Sequence, residues 1–208
     1  MITPNLTNAA VRVLDDPDAV TCSVARWLVR IHFFWTDGRF VPRTEERNNY
    51  KIARDLLVTR VPIPCENIHA IPTTEKTPST AAPAYEEEIT RFHGMSELAP
   101  DRRLFDVTFL GIGEEGHTAS LFPGSLLLEE RSCWVAAVPH GVPEARVALA
   151  YPALESSCRV VFAVTAAAKR EMGQAIRDGS EELPPTRFKP SGRTHWFFDR
   201  AAVPDGSS

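Results

Sequence analysis

Apolar positions along the chain switch between helical and strand spacing, which predicts alternating helices and strands. Val20, Val24, Trp27 and Leu28 recur at helical intervals behind Asp16-Pro17-Asp18, where Asp16 can cap and Pro17 fits a first turn. Ile31 to Trp35 is a compact apolar run of strand length, ending in a polar turn, Thr36-Asp37-Gly38-Arg39. A helix is expected over Asn49 to Thr59 with Ile52, Leu56 and Leu57 inward, then a short strand from Ile68 to Ile71. Ser79 or Thr80 can cap a helix whose Tyr85, Ile89 and Phe92 share a face, while Glu86, Glu87 and Glu88 read as a mostly solvated face. Leu104 to Leu110, Arg146 to Tyr151, Arg159 to Val164 and His195 to Phe198 read as strands, and Ala166 to Arg177 as a helix closed by Gly179. Near-continuous apolar strands alternating with helices predict a mostly parallel α/β sheet covered on both faces. In such sheets, ligands bind in the loops beyond the carboxyl ends of the strands.

The chain of 208 residues suits a single domain, expected to be ordered from about residue 11 to 203 with a frayed Gly/Ser-rich tail. A net charge of -4 argues against nucleic acid as a partner, because phosphate-backbone binding needs clustered Lys and Arg. A basic pocket for one small phosphate stays open. No apolar run reaches membrane-spanning length and no secretory signal opens the chain, so a cytoplasmic protein is expected. Cys22, Cys65, Cys133 and Cys158 are far apart, which fits buried free thiols better than a zinc site or disulfides.

The chemistry concentrates in Gly111-Ile112-Gly113-Glu114-Glu115-Gly116-His117-Thr118-Ala119-Ser120-Leu121-Phe122-Pro123-Gly124, directly after the Leu104–Leu110 strand. Three glycines allow a tight turn with positive φ and close backbone approach to a ligand. N–H groups exposed in such a turn form an anion-binding concavity. Glu114 and Glu115 flank His117, where a carboxylate can orient the imidazole and raise its basicity. On the residues alone, the glycines could equally just turn the chain and leave His117 a solvated loop residue.

This stretch resembles the signature of the 6-phosphogluconolactonase family, G-x-G-x-D-G-H-T-A-S-L-F-P-G, with Glu115 where that family has Asp. Phe33-Phe34-Trp35-Thr36-Asp37-Gly38-Arg39-Phe40-Val41-Pro42 is similar to F-F-W-x-D-E-R-x-V-P, and Asn49-Tyr50 to S-N-Y. Val61-Pro62-Ile63-Pro64 with Asn67-Ile68-His69, Thr165 to Glu171, and Trp196-Phe197-Phe198-Asp199 are similar to further family segments; Ala166 replaces a Gly. The likeness runs from about Val11 to Val203.

The resemblance implies a Rossmann-like fold and hydrolysis of 6-phospho-D-glucono-1,5-lactone in the pentose phosphate pathway. It implies His117 as general base on a water, a role suited to an imidazole with an ordinary pKa near ~6.5. Gly113 to Gly116 would stabilise the oxyanion through N–H groups, and Glu114 or Glu115 would fix the ring. Arg39 offers a planar fork for phosphate, Lys169 a cation in the first turn of its helix, and Arg146 a third cation at the start of a strand. Asp37 and Asn49 join the expected binding set through their motifs. No metal or cofactor is implied, and the partner is a small sugar-phosphate lactone acted on by a monomer or weak homo-oligomer.

Departures from the family shape two further expectations. The family carries a strand ending in S-G-G-S-T-P and then a helix before F-F-W-x-D-E-R, whereas here the first helix passes through Val29-Arg30 into Ile31. One strand–helix unit near the N-terminus is therefore expected to be missing, with a gap or unpaired edges in the sheet and a destabilised domain. Gly38 stands where the family has Glu, and Glu115 carries its charge about 1.5 Å further out than Asp. A non-catalytic relative is the alternative reading. A glucosamine-6-phosphate deaminase is disfavoured by Thr118-Ala119-Ser120-Leu121-Phe122 after His117.

Overall fold

The computed structural model describes residues 9–13, 29–140 and 143–203. The helix expected over Asp16 to Leu28, Cys22 and the tail beyond Val203 lie outside the described residues. Nine strands are described: β1 (Ala9–Val13), β2 (Ile31–Trp35), β3 (Asp37–Arg39), β4 (Ile68–His69), β5 (Phe105–Gly111), β6 (Val135–Val138), β7 (Arg146–Leu149), β8 (Ser157–Val164) and β9 (Arg193–Phe198). The described α-helices are α1 (Asn49–Leu56), α2 (Pro78–His93), α3 (Tyr151–Glu155) and α4 (Arg170–Arg177).

The main sheet has the order β4-β2-β1-β5-β8-β9. β2 pairs parallel with β4, and β5, β8 and β9 run parallel to one another. β1 alone runs against its neighbours, pairing Val11 with Phe33 on one side and with Val107 on the other. Where a gap or unpaired edges were expected in the sheet, an antiparallel strand lies between β2 and β5 and pairs with both. Two residues, Val29 and Arg30, turn the chain into β2, and Asn67 Nδ2 fastens that turn by donating to Val29 O and Ile31 O.

β3, β7 and β6 form a separate antiparallel sheet. The expected polar turn over Thr36 to Arg39 is therefore partly a strand. Asp37 pairs in register with Ala148 and Arg39 with Arg146, so backbone pairing overrides the turn-forming side chains. The strand expected over Arg146 to Tyr151 also belongs to this second sheet, ending at Leu149.

The core is built on Phe34, Tyr85, Phe105, Leu110, Phe162 and Leu149, all buried. Tyr85 ties α2 to the sheet: its hydroxyl accepts from Trp35 N at 2.8 Å and lies 3.1 Å from His69 O. The cap of α2 is Thr77, not Ser79 or Thr80: its side chain accepts from Thr80 N while Thr80 Oγ1 accepts from Thr77 N, with Pro78 at the first turn. Of the acidic triplet only Glu87 is exposed. Glu86 caps β6 and Glu88 accepts from His69 Nδ1 at 2.8 Å, leaving His69 Nε2 to accept from His32 Nδ1 at 2.9 Å.

Two helices differ from expectation. α1 stops at Leu56, and Leu56 and Leu57 are exposed; Tyr50 and Ala53 are its contacts with the core, because the helix lies on the outside of the molecule. The segment expected as one helix over Ala166 to Arg177 begins with a 3-10 turn, Ala167–Lys169, so Lys169 caps α4 from outside its first turn. Cys65 is exposed, and Cys133 and Cys158 are half-buried free thiols. No described helix is long and apolar enough to cross a membrane.

Candidate active site

Most of the expected site residues enter beyond the carboxyl ends of parallel strands, whereas Arg146 opens the antiparallel β7 and Asn49 opens α1. Asp37 and Arg39 follow β2, the Gly-rich loop with His117 follows β5, and Lys169 follows β8. The loop closes on itself: Gly113 N–H donates to His117 O at 2.8 Å and Gly116 N–H to Gly113 O at 3.1 Å. These two N–H groups are consumed inside the turn, so neither is available as the oxyanion donor expected of them. Gly116 holds φ +79° against Leu183, a conformation glycine adopts freely. Thr118 Oγ1 then donates to Gly111 O at 2.9 Å and locks the strand end to the residue after His117.

His117 is largely buried, leaning on Phe122 with ring centroids 4.5 Å apart. Arg146 reaches the same Phe122 ring at 5.6 Å. Asp37, 1% exposed, anchors this corner: its Oδ2 accepts from Ser120 Oγ at 2.9 Å and lies 3.4 Å from Arg146 Nη1. Arg146 Nε is buried with no hydrogen-bond partner, as is His117 Nδ1. A guanidinium N–H buried without an acceptor is costly. Burial pushes the His117 imidazole below its ordinary pKa, and the positive charge of Arg146 adds to that; Asp37 and Glu115 oppose it, and Lys169 lowers it slightly. A lowered pKa favours the neutral form of the ring.

Neither glutamate hydrogen-bonds the imidazole. Glu115 Oε2 stands 3.9 Å from His117 Nδ1, beyond hydrogen-bond range, and Glu115 is mostly exposed. Glu114 lies 4.0 Å from Lys169 Nζ. Lys169 is itself well covered, and burial lowers its pKa against the pull of Glu114 and Glu115. Arg39 pairs with Glu144 at 3.6 Å and donates to Arg47 O at 3.3 Å, while Arg47 also meets Glu144 and Glu45. Asn49 supports this corner by donating to Asp37 O at 3.1 Å. Ser120, Phe122, Glu144 and Arg47 were absent from the expected set. Ser120 and Phe122 sit inside the Gly-rich motif, where spacing signals them; Glu144 and Arg47 arrive from separate loops, which spacing cannot reveal. Among the described residues no cluster of His, Cys, Asp or Glu is arranged to hold a metal ion.

The model for the family described as glucosamine-6-phosphate isomerases/6-phosphogluconolactonase matches residues 6–196. The chain belongs to this family. It is similar to the 6-phosphogluconolactonase of Nostoc sp. (strain PCC 7120), 35% identical over 176 residues, covering 83% of this chain and 72% of the relative. It is also similar to 6-phosphogluconolactonase 3, chloroplastic, of Arabidopsis thaliana, 31% identical over 205 residues, covering 95% of this chain but 62% of that protein. Against that relative the chain spans less than two thirds of the length. Among solved structures, 6-phosphogluconolactonase from Thermotoga maritima superposes with a TM-score of 0.70 at 29% identity, covering 82% of this chain and 73% of the other. The mixed α/β architecture with a parallel sheet is the fold of this family.

Proposed function

We propose that the chain hydrolyses 6-phospho-D-glucono-1,5-lactone to 6-phosphogluconate, with His117 as the general base. The observation that carries this reading is a largely buried imidazole at the end of β5 beside a guanidinium whose Nε lacks an acceptor, in surroundings that lower the imidazole pKa. His117 takes a proton from water as its oxygen bonds to the lactone carbonyl carbon. Arg146 faces the negative charge that gathers on the carbonyl oxygen. The ring C–O bond then breaks, and the proton held by His117 passes to the departing ring oxygen, which becomes the sugar hydroxyl. Lys169 and Arg39 hold the phosphate by charge and, for Arg39, by a planar fork. Asp37 fixes Arg146 and Ser120, and Asn49 braces Asp37. Glu114 and Glu115 keep the mouth of the site negative and favour release of the product, which gains a carboxylate charge over the substrate.

The decisive measurement is lactone opening by the purified chain above the spontaneous rate. His117→Ala should lose about 10²–10⁴-fold in rate, the usual contribution of a positioned base. A rate equal to wild type removes His117 from the mechanism.

A non-catalytic relative is the second reading, favoured by the absence of Gly-Gly-Ser-Thr from the chain. The antiparallel position of β1 between β2 and β5 supports an internal loss of the unit that carries that loop in the family. Coding sequence for Gly-Gly-Ser-Thr-Pro between the Val29 and Arg30 codons would make the loss an artefact of the gene's reading.

A further inference from the structure

The loop after β8 holds a non-glycine residue in a backbone conformation that side chains avoid. Ala166 has φ 80° and ψ 147°, a region populated almost wholly by glycine. Strain of this kind persists only where neighbouring contacts over-determine it. The contact here is Asp199, immediately after β9. Its Oδ2 accepts from Ala166 N–H at 2.9 Å and its Oδ1 from Ala202 N–H at 2.8 Å, so one carboxylate joins the exits of β8 and β9. Asp199 N–H donates to Val164 O at 3.1 Å, which carries the parallel pairing one step past the last strand residue. Arg170 adds a second tie by donating to Ala201 O. The backbone bonds hold the Asp199 carboxyl below its ordinary pKa, in keeping with an ionised acceptor.

What the strained residue controls is the start of the next turn. Lys169 N–H donates to Ala166 O at 3.0 Å, closing the 3-10 turn that ends at Lys169. A flip of Ala166 to an ordinary negative φ would redirect its carbonyl, break that bond and release the turn that aims Lys169. Lys169 acts on the electrostatics of His117, so its position also matters to the base.

We infer that Asp199 is a positioning residue: its carboxylate holds Ala166 at positive φ and so fixes Lys169 for the phosphate of the substrate. The inference rests on the phosphate role proposed above for Lys169. Asp199 touches no substrate, and its effect runs entirely through the backbone between residues 166 and 169.

The test is 6-phosphogluconate binding to the purified full chain, measured by calorimetry, with thermal melts alongside. Lys169→Ala should weaken binding about tenfold or more, the cost of one charge-assisted contact. Asp199→Ala should weaken it by up to about tenfold, yet add nothing in a Lys169→Ala background. Adding Ala166→Gly to Asp199→Ala should restore most of the affinity, because glycine reaches the same φ with no clamp. If Asp199→Ala fails to fold, Asp199→Asn, which keeps one acceptor oxygen, replaces it. Equal weakening by Asp199 variants with and without Lys169, or no recovery when Ala166→Gly is added, overturns the positioning role. The Ala166 amide proton resonance separates the two layers. Unchanged affinity in Lys169→Ala sinks the phosphate role of the lysine, whereas an Ala166 amide signal that stays put in Asp199→Ala, which removes both acceptor oxygens, sinks the clamp itself.

Discussion

A Cβ placed on Gly113 would fall within overlap distance of the His117 ring, against Cε1 and Nδ1. Gly113 thus leaves room for the imidazole, a reason beyond the turn-forming role its sequence context suggests. The same close packing sets the chemistry of the ring. Burial and Arg146 both lower the His117 pKa, so the neutral base persists below pH ~6.5, the ordinary histidine value. A reaction needing the neutral ring loses rate as pH falls through that lowered pKa. Arg146→Ala removes one of the lowering causes, so the acid limb of kcat/KM against pH should move to higher pH, toward the ordinary histidine range. The position of the limb is independent of any loss of substrate affinity in the same variant. A limb that stays fixed would show that Arg146 does not face the base.

At the scale of elements, legibility followed the length and burial of each apolar run. β2 matches its expected bounds residue for residue, and β5 and β8 lie within one or two residues of theirs, because each is a compact apolar run paired on both sides. β6 and β3 are short, and their pairing comes from distant backbone that periodicity cannot show. α1 deceived in the other direction: Leu56 and Leu57 have the spacing of a core face but lie outside it. The candidate site was similarly split: His117, Asp37 and Arg146 were named from the sequence and its family resemblance, whereas the contacts that join Asp37 to Ser120 and Arg146 appear only in three dimensions. Glu86 marks the limit of reading charge as solvation. It is half-buried, and its Oε2 accepts from both Trp134 N and Val135 N at 2.9 Å, fastening α2 to the start of β6. Glu86→Ala leaves two backbone donors without their acceptor and should cost about 1–3 kcal/mol in urea unfolding. Glu86→Gln keeps an amide oxygen able to accept both bonds and should cost clearly less. Equal losses for the two variants would make the contribution one of packing, not of capping.

At the scale of the molecule, the sheet depends on a strand that runs the wrong way for its place. Five strands are parallel, and a parallel partner between β2 and β5 would require a crossover connection on each side. β1 avoids that requirement by pairing antiparallel, with Ala9 opposite Trp35 and Phe109, and Val13 opposite Ile31. β2 is thereby paired along all five of its residues and β5 along three of its seven, which covers much of the edge that the sequence led us to expect. The sheet's integrity then rests on five residues, fewer than either β5 or β8 supplies. Proline cannot donate to a ladder and is tolerated only at strand ends or edges. Val11 pairs with Phe33 and Val107 at the middle of β1, so Val11→Pro should destabilise the fold by on the order of 3 kcal/mol and expose β2 and β5 to aggregation. Ala9→Pro, at the first residue of the strand, should be much milder. Thermal melts read with light scattering separate the two variants. If both melt as wild type does and stay clear, β1 is not the strand that closes the sheet, and the centre of the molecule must be held by pairing between β2 and β5 themselves.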